Sequence, residues 1–290
     1  MKNVLLGLAA LACSGLTGNA FAQKTTEKET INRSVAFNTN AGARVLSVHN
    51  VQGDVKVEGY SGAQVELVAE KTISAKNKAE AEKGMREVQL KTKASGDTVY
   101  VYLEAPFIHR KNGNLRSMNI NRDDDDYDFE FDITIKVPRQ TNLEVATVNN
   151  GEVTVANTQG QVRANNVNGP IKITNIEGTT KANTVNGNVD VSYTKNPSAD
   201  SDFRTINGKI NVVFKPNLDA DLTFKTMHGE FFSDFDNLKA LPAQTTKNTG
   251  NTRSGTVYKV DNRQAMRLGK GGPTFSFETL NGDVYVRQGK

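Results

Sequence analysis

The chain has no tryptophan, one cysteine and three histidines. Cys13 lies within an N-terminal apolar stretch, so a chain cut after Ala22 keeps no thiol. That excludes disulfides, thiolate catalysis and zinc–thiolate sites together. As a lipid acceptor Cys13 is poorly served, since Ala10-Leu11-Ala12 lacks a leucine three residues before it. His49, His109 and His228 stand far apart, and neither Gly-x-Ser-x-Gly nor His-Glu-x-x-His occurs. Gly269-Lys270-Gly271-Gly272 lacks the glycine spacing and the hydroxyl residue after lysine that a phosphate loop needs. Charge of one sign is also missing: 36 Lys and Arg face 32 Asp and Glu, and the two signs mostly alternate. That balance, without interleaved aromatics, argues against nucleic acid. No apolar run is long enough to span a membrane. Little aromatic content beside abundant Gly, Asn, Thr and Val fits an extended β protein better than a deep globular core.

What is present begins with an export signal. Lys2 gives a positive start, Val4 to Ala12 an apolar stretch, and Ala20-Phe21-Ala22 a small-residue cleavage site. The expected organisation is a signal peptide over 1–22, a flexible or loosely paired polar leader over 23–40, and a single domain over 41–290. Export places the mature chain in the periplasm, on the outer surface or outside the cell.

The domain repeats itself. Thr184-Val185-Asn186-Gly187, Thr205-Ile206-Asn207-Gly208, Thr226-Met227-His228-Gly229 and Thr279-Leu280-Asn281-Gly282 are four copies of one motif, and Asn166-Val167-Asn168-Gly169 precedes them. Gly151, Gly160, Gly169, Gly178 and Gly187 fall nine residues apart, and Gly187, Gly208 and Gly229 fall twenty-one apart. After each Asn-Gly the apolar residues alternate, as in Ile171/Ile173, Val189/Val191, Ile210/Val212 and Val284/Val286, so they share one face of a strand. Asn-Gly is also a hairpin signal, and a meander is the competing reading. A constant period favours stacked coils of eighteen to twenty-one residues, a parallel β-solenoid in which these glycines and Gly282 turn the corners through positive φ. Ala156, Ala164 and Ala182 then point inward in a thin interior. His228, standing where sister copies have Asn, reads as a corner residue.

The repeat, with Ile135-Lys136-Val137-Pro138 leading into Leu143-Glu144-Val145 and Gly269-Lys270-Gly271-Gly272-Pro273 before the last copy, resembles the bacterial "putative adhesin" family of unknown function, secreted β-solenoids akin to GIN-type domains. The resemblance runs from about Val45 to Val286. It implies an envelope or surface protein without catalysis, and brings no functional residues with it. Val148-Asn149-Asn150-Gly151 departs from the pattern by one extra residue before the glycine.

Outside the repeat, residues 75–90 predict a helix with Ser74 as N-cap and Ala81, Met85 and Val88 on one face, capping the open end of the solenoid. Residues 237–255 read as a polar loop, and 106–126 as a loop charged positively at its start and negatively at its end. Asp124, Asp126 and Asp128 present hard oxygens at alternate positions, as a calcium loop does, although Phe129 and Ile135 stand where an EF-hand needs Gly and an acid. Arg110, Lys111 and Arg116 are candidate anion contacts. Glu152, Asp190 and Asp283 follow equivalent glycines and would line one side if the coil were a polysaccharide-cleaving helix. The expected function is a non-catalytic binding or structural module of the envelope, with a cell-surface glycan or envelope protein as partner. The alternatives are a polysaccharide-active enzyme on the same scaffold and a calcium- or anion-dependent binding module.

Overall fold

The computed structural model describes residues 24–38, 43–115, 119–121, 126–252 and 255–290. The N-terminal part comprises β1 (Thr25–Val35), β2 (Val45–His49), β3 (Val55–Tyr60), β4 (Val65–Ala75), α1 (Lys78–Glu87), β5 (Gln89–Ser95), β6 (Thr98–Glu104), β7 (Ile108–His109), β8 (Asn119–Ile120) and β9 (Tyr127–Pro138). Short strands follow: β10 (Asn142–Ala146), β11 (Val153–Ala156), β12 (Val162–Asn165), β13 (Ile171–Ile176), β14 (Thr180–Asn183), β15 (Val189–Tyr193), β16 (Ser201–Arg204) and β17 (Ile210–Phe214). The C-terminal part holds β18 (Ala220–Lys225), β19 (Phe231–Ser233), β20 (Leu238–Thr252), β21 (Gly255–Leu268), β22 (Thr274–Glu278) and β23 (Val284–Gln288).

Each coil places one strand in each of two sheets. The first sheet runs β1-β4-β9-β3-β11-β13-β15-β17-β23-β19, and the second runs β20-β21-β18-β22-β16-β14-β12-β10-β2-β6-β5. Neighbouring coils pair in parallel and in register: Val153 lies beside Ile171, Ile171 beside Val189, and Val189 beside Ile210. The solenoid expected from the period is therefore present, and the meander is not. Alternation explains the layering. Residues of one parity in each strand are buried between the sheets, and those of the other face outward. Ala164 and Ala182 are fully buried, whereas Ala156 belongs to the outward parity of β11, contrary to expectation. Toward the C-terminus the interior is filled by stacked aromatic rings. Phe203 stacks on Phe277 at 5.2 Å between centroids and Tyr193 on Phe214 at 5.2 Å, with Phe214 in turn on Phe275 at 4.9 Å.

Chain order and stacking order part company at the C-terminal end. The last copy, β22 and β23, does not add to the end of the stack. It lies between the coil of β16 and β17 and that of β18 and β19. The chain makes the β18–β19 coil one level too far along, runs out and back through β20 and β21, and then fills the vacant level.

Three local expectations are corrected. The leader is not a flexible tail throughout: Thr25–Val35 forms β1, antiparallel to β4 along its whole length. The edge of β4 offers it a full row of backbone partners, so a polar strand with one buried side chain, Ile31, suffices. Of residues 237–255, expected as a loop, Leu238–Thr252 instead forms β20, which pairs with β21 as a long hairpin. The helix is shorter than expected, and its N-cap is Asn77, whose side chain accepts from Glu80 N. It does pack on β1, β4 and β9 at the N-terminal end of the stack, burying Ala81 and Gly84. The export segment at 1–22 and Cys13 lie outside the described residues.

Candidate functional site

The repeated corner carries two hydrogen-bond columns. In the first, the residue opening each motif donates to the glycine carbonyl of the coil below. Thr147 Oγ1 reaches Gly53 O at 3.0 Å, Asn166 Nδ2 reaches Gly151 O at 2.8 Å, and Thr184 Oγ1 reaches Gly169 O at 2.9 Å. Thr205 then reaches Gly187 O at 2.8 Å, Thr279 reaches Gly208 O at 3.1 Å, and Thr226 reaches Gly282 O at 3.4 Å. The second column is a ladder of amides, in which Nδ2 of Asn168, Asn186, Asn207 and Asn281 donates to Oδ1 of Asn149, Asn168, Asn186 and Asn207 in turn, at 2.7–2.8 Å. His228 Nδ1 ends it at 3.1 Å from Asn281 Oδ1. The extra residue at 149–150 is absorbed because Asn149 takes the ladder position and Asn150 goes to φ 51°.

The corner glycines are needed for a reason other than the expected one. Gly151, Gly160, Gly169, Gly178, Gly187, Gly208 and Gly229 do not adopt positive φ; among the motif glycines Gly282 does, at 153°. The Cα of each instead sits against a backbone carbonyl of the neighbouring level, so that a Cβ on Gly187 would overlap Gly169 O. Left-handed turns on the opposite edge are made by Asn157, Asn175 and Asn217, with φ of 56–61°.

The residue between Thr and Asn in each motif points away from the columns. Val148, Val167, Val185, Ile206, Leu280 and Met227 follow one another along the stack. Exposure rises to 43 % at Ile206 and 70 % at Met227. Side chains repeat along this edge at the strand spacing of about 4.8 Å, giving an apolar ridge beside the amide ladder.

On the opposite edge the regular crossing from the first sheet to the second is interrupted. The turn after β9 passes over the end of β3 to reach β10, while β3 itself turns back into β4. A recess of about 570 Å³ results, lined by Arg44, Tyr60, Ser61, Arg139, Gln140 and Gln159 among others. The Tyr60 hydroxyl shares its one proton between Gln64 O at 2.9 Å and Glu66 at 3.2 Å, which fixes the ring, and burial together with the Glu66 charge raises its pKa. The Arg44 guanidinium lies 5.5 Å from the Phe37 ring centre. A second recess of about 250 Å³ adjoins it, since Arg44 and Thr141 of the first are followed by Val45 and Asn142 of the second, which adds Arg163 and Lys181 with Glu144. The sequence holds no signal for these recesses, because their cationic residues come from separate turns and strands and share no motif.

The expected charged loop is differently used. Arg110 donates to Leu103 O at 2.6 Å and to Leu115 O at 3.3 Å, and lies 4.8 Å from the Tyr102 ring centre. It ties its own loop to β6. Lys111 opens a short 3₁₀ turn, and Arg116 and Asp124 lie outside the described residues. Asp126 pairs with Lys83 at 2.9 Å and Asp128 with Lys24 at 3.0 Å. Glu152, Asp190 and Asp283 share the outward parity of the first sheet, as expected, but do not fall in one column. Glu152 and Asp283 occupy the level-to-level column just after the corner glycines, whereas Asp190 lies two residues along in the strand, beside Lys172 and Asn211. Asp283 is also engaged: the Glu230 backbone amide, Tyr285 and Lys209 hold its carboxyl below the ordinary range. Among the described residues no group of three His, Cys, Asp or Glu is arranged to hold a metal ion, and no helix is long and apolar enough to cross a membrane.

Fold and edge together define a two-sheet β-solenoid whose recurring residues serve the stacking. The chain belongs to the Toastrack DUF4097 family, whose profile matches residues 60–264. No curated protein matches it. Three crystal structures align over most of the chain at low similarity. One is described as a putative cell adhesion protein from Clostridium sporogenes, with 9% identity, 91% of this chain and 100% of that one covered, and a TM-score of 0.39. Another is a putative lipid binding protein from Parabacteroides distasonis, with 14% identity, coverage of 91% and 97%, and a TM-score of 0.26. The third is a putative adhesin from Parabacteroides merdae, with 12% identity, coverage of 93% and 98%, and a TM-score of 0.26. Likenesses this distant say nothing of function.

Proposed function

We propose that this chain is an exported, non-catalytic binding module of the cell envelope that offers a cell-surface glycan an extended surface. The observation that carries the reading is the use of the motif residues. The Thr and Asn side chains that recur in most copies bind the next coil, so the repetition serves a rigid rod and not a reacting group. Its outward residues form long ladders from coil to coil, which suit polymers better than small molecules. The lysines on Asp126 and Asp128 weigh against calcium as part of that function, and the separate columns of Glu152 and Asp190 weigh against a glycosidase pair.

Export rests on the residues before Gln23. The test is protease treatment of intact cells, with the mature N-terminus read by mass spectrometry. The proposal expects a chain starting at Gln23 that is cut from outside. A chain retaining residues 1–22 in the cytosolic fraction sinks it, and cleavage only after outer-membrane permeabilisation moves the partner into the periplasm. Release of new reducing ends from acidic polysaccharides by the purified chain would sink the non-catalytic half.

A further inference from the structure

The recesses on the edge opposite the amide ladder have a composition that the corner edge lacks. The larger is lined by Arg44, Tyr60, Ser61, Arg139, Gln140 and Gln159 among others, and no acidic residue lines it. Two arginines therefore line one concavity without a carboxylate in its wall. Among the described residues no ion pair is formed by Arg139, which stands exposed on the turn that passes over β3. Arg44 is held half-buried against Phe37 just before β2, so its position is fixed by packing. The positive charge is not an accident of a basic surface, because the chain as a whole is nearly balanced.

The rest of the wall is suited to hydroxyl groups and to a flat apolar face. Ser61 and Gln140 offer side-chain donors and acceptors at the rim. The Gln159 amide is partly engaged, donating to Glu177 at 3.0 Å. Thr141 Oγ1 is buried in the floor without a hydrogen-bond partner. Tyr60 presents a ring fixed by its shared hydroxyl proton, next to Pro138. A volume of about 570 Å³ lies within the range of about 300–1,000 Å³ usual for small-ligand sites. The adjoining recess continues along the second sheet with Arg163 and Lys181 on successive coils, set against Glu144 alone. Cations thus recur in a line from the concavity onto the strand ladder.

We propose that this edge binds a carboxylate-bearing saccharide chain. One uronate unit occupies the larger recess, with its carboxylate between Arg44 and Arg139 and its ring on Tyr60, and the following units run toward Arg163 and Lys181. Guanidinium suits the planar carboxylate because it offers paired donors. The inference rests on the reading of the chain as a glycan-binding module and names the ligand class and its place. It differs from the anion contacts expected at Arg110, Lys111 and Arg116, of which Arg110 is occupied by its own loop.

The experiment is calorimetric titration of the exported chain with oligogalacturonate, a neutral oligosaccharide of equal length, and inorganic phosphate and sulfate. The product is analysed for chain cleavage after each run. Saturable binding of the uronate chain alone is expected, with at least a ten-fold loss in Arg44→Gln and in Arg139→Gln, a smaller loss in Arg163→Gln, and none in Lys172→Gln on the other sheet. Arg139→Lys, which keeps the charge but not the paired donors, should lose part of the affinity. Melting temperatures of the variants are compared first, and Arg139 carries the test if Arg44→Gln unfolds. Equal binding of the neutral chain, phosphate binding as tight as the uronate, or binding untouched by Arg139→Gln each overturns the site. So does absence of uronate binding, which leaves the non-catalytic reading intact. Cleavage of the bound chain overturns that reading instead.

Discussion

At the scale of single residues, the corner is governed by how closely one coil approaches the next. Gly187→Ala places a methyl group on the carbonyl of Gly169, which belongs to backbone fixed on both sides and cannot retreat. A loss of about 2 kcal/mol or more is expected, at the upper end of the cost of overpacking, read as a lower urea midpoint with unchanged slope. Gly96→Ala is the contrast: nothing lies within 4 Å of its added Cβ, and only the φ of 57° opposes it. If Gly96→Ala proves the costlier, close approach is not what selects the corner glycines. The Asn-Gly spacing was readable in the sequence because a steric need recurring at each level leaves a periodic mark. Its cause was misread, since a glycine demanded by φ and one demanded by a neighbour look alike in a chain of letters. Lys71 left no mark at all. It stands in the buried parity of β4, fully enclosed, with Nζ donating to Met85 O at 2.6 Å and 3.7 Å from Glu29. Burial lowers its pKa, against the opposing pull of Glu29. The unfolded chain therefore holds more protons than the folded one between the lowered value and the ordinary lysine value of about 10.4. Across that window this group's contribution to stability rises with pH, and below the window the full cost of burying the charge is present. Wild type measured against Lys71→Met should gain stability over that interval, while at neutral pH the methionine variant is at least as stable. A flat difference between the two chains from pH 7 to 11 would refute the account.

At the scale of elements, strands that bury a clean parity announced themselves, and strands that exist for their backbone partners did not. Tyr127 to Val137 alternates without a break and forms β9. Thr25–Val35 and the polar run after Asn237 carry almost no such pattern, yet each forms a strand because its backbone finds a row of partners, the first on the edge of β4 and the second on β21. The distal hairpin shows how little its sequence contributes to the stack. From Gln244↔Arg263 outward, β20 and β21 pair only with each other, and β21 reaches β18 only through Gln264 to Leu268. Replacing residues 245–262 by a two-residue Asn-Gly turn should leave the melting temperature within about two degrees. That corresponds to about 1 kcal/mol for a domain of this size. A fall of ten degrees would mean that the arm folds back and supports the body. The recess near Arg139 belongs to this scale as well. It exists because one turn passes over the end of β3, and a one-dimensional period cannot register a crossing that departs from it.

At the scale of the molecule, the decisive feature is the level filled last. Repeats of one motif are interchangeable in pattern, so nothing in the order of Thr-x-Asn-Gly copies tells which lies next to which. The hydrogen bonds do: Thr279 reaches back to Gly208, and Thr226 reaches Gly282, residues separated in sequence by the whole hairpin. Phe277 likewise lies between Phe203 and Phe224, at 5.2 and 5.7 Å. The β18–β19 coil must therefore wait for the C-terminal segment, which brings contacts of high sequence separation and slow closure. A chain ending at Gly269 should keep hydrogen-exchange protection from β2 to β15 and lose it at β19, whose described ladder partner is β23 alone. Its vacant level should then accept a synthetic peptide of residues 270–290, with protection at β19 restored on addition. The opposite result is equally readable. If the truncated chain protects β19 unaided and ignores the peptide, the two flanking coils have closed on one another, Thr226 has taken the Gly208 carbonyl, and the copies are interchangeable in energy as well as in pattern. The C-terminal insertion would then be a consequence of chain connectivity, with no preference of Phe277 for the space between its two neighbours.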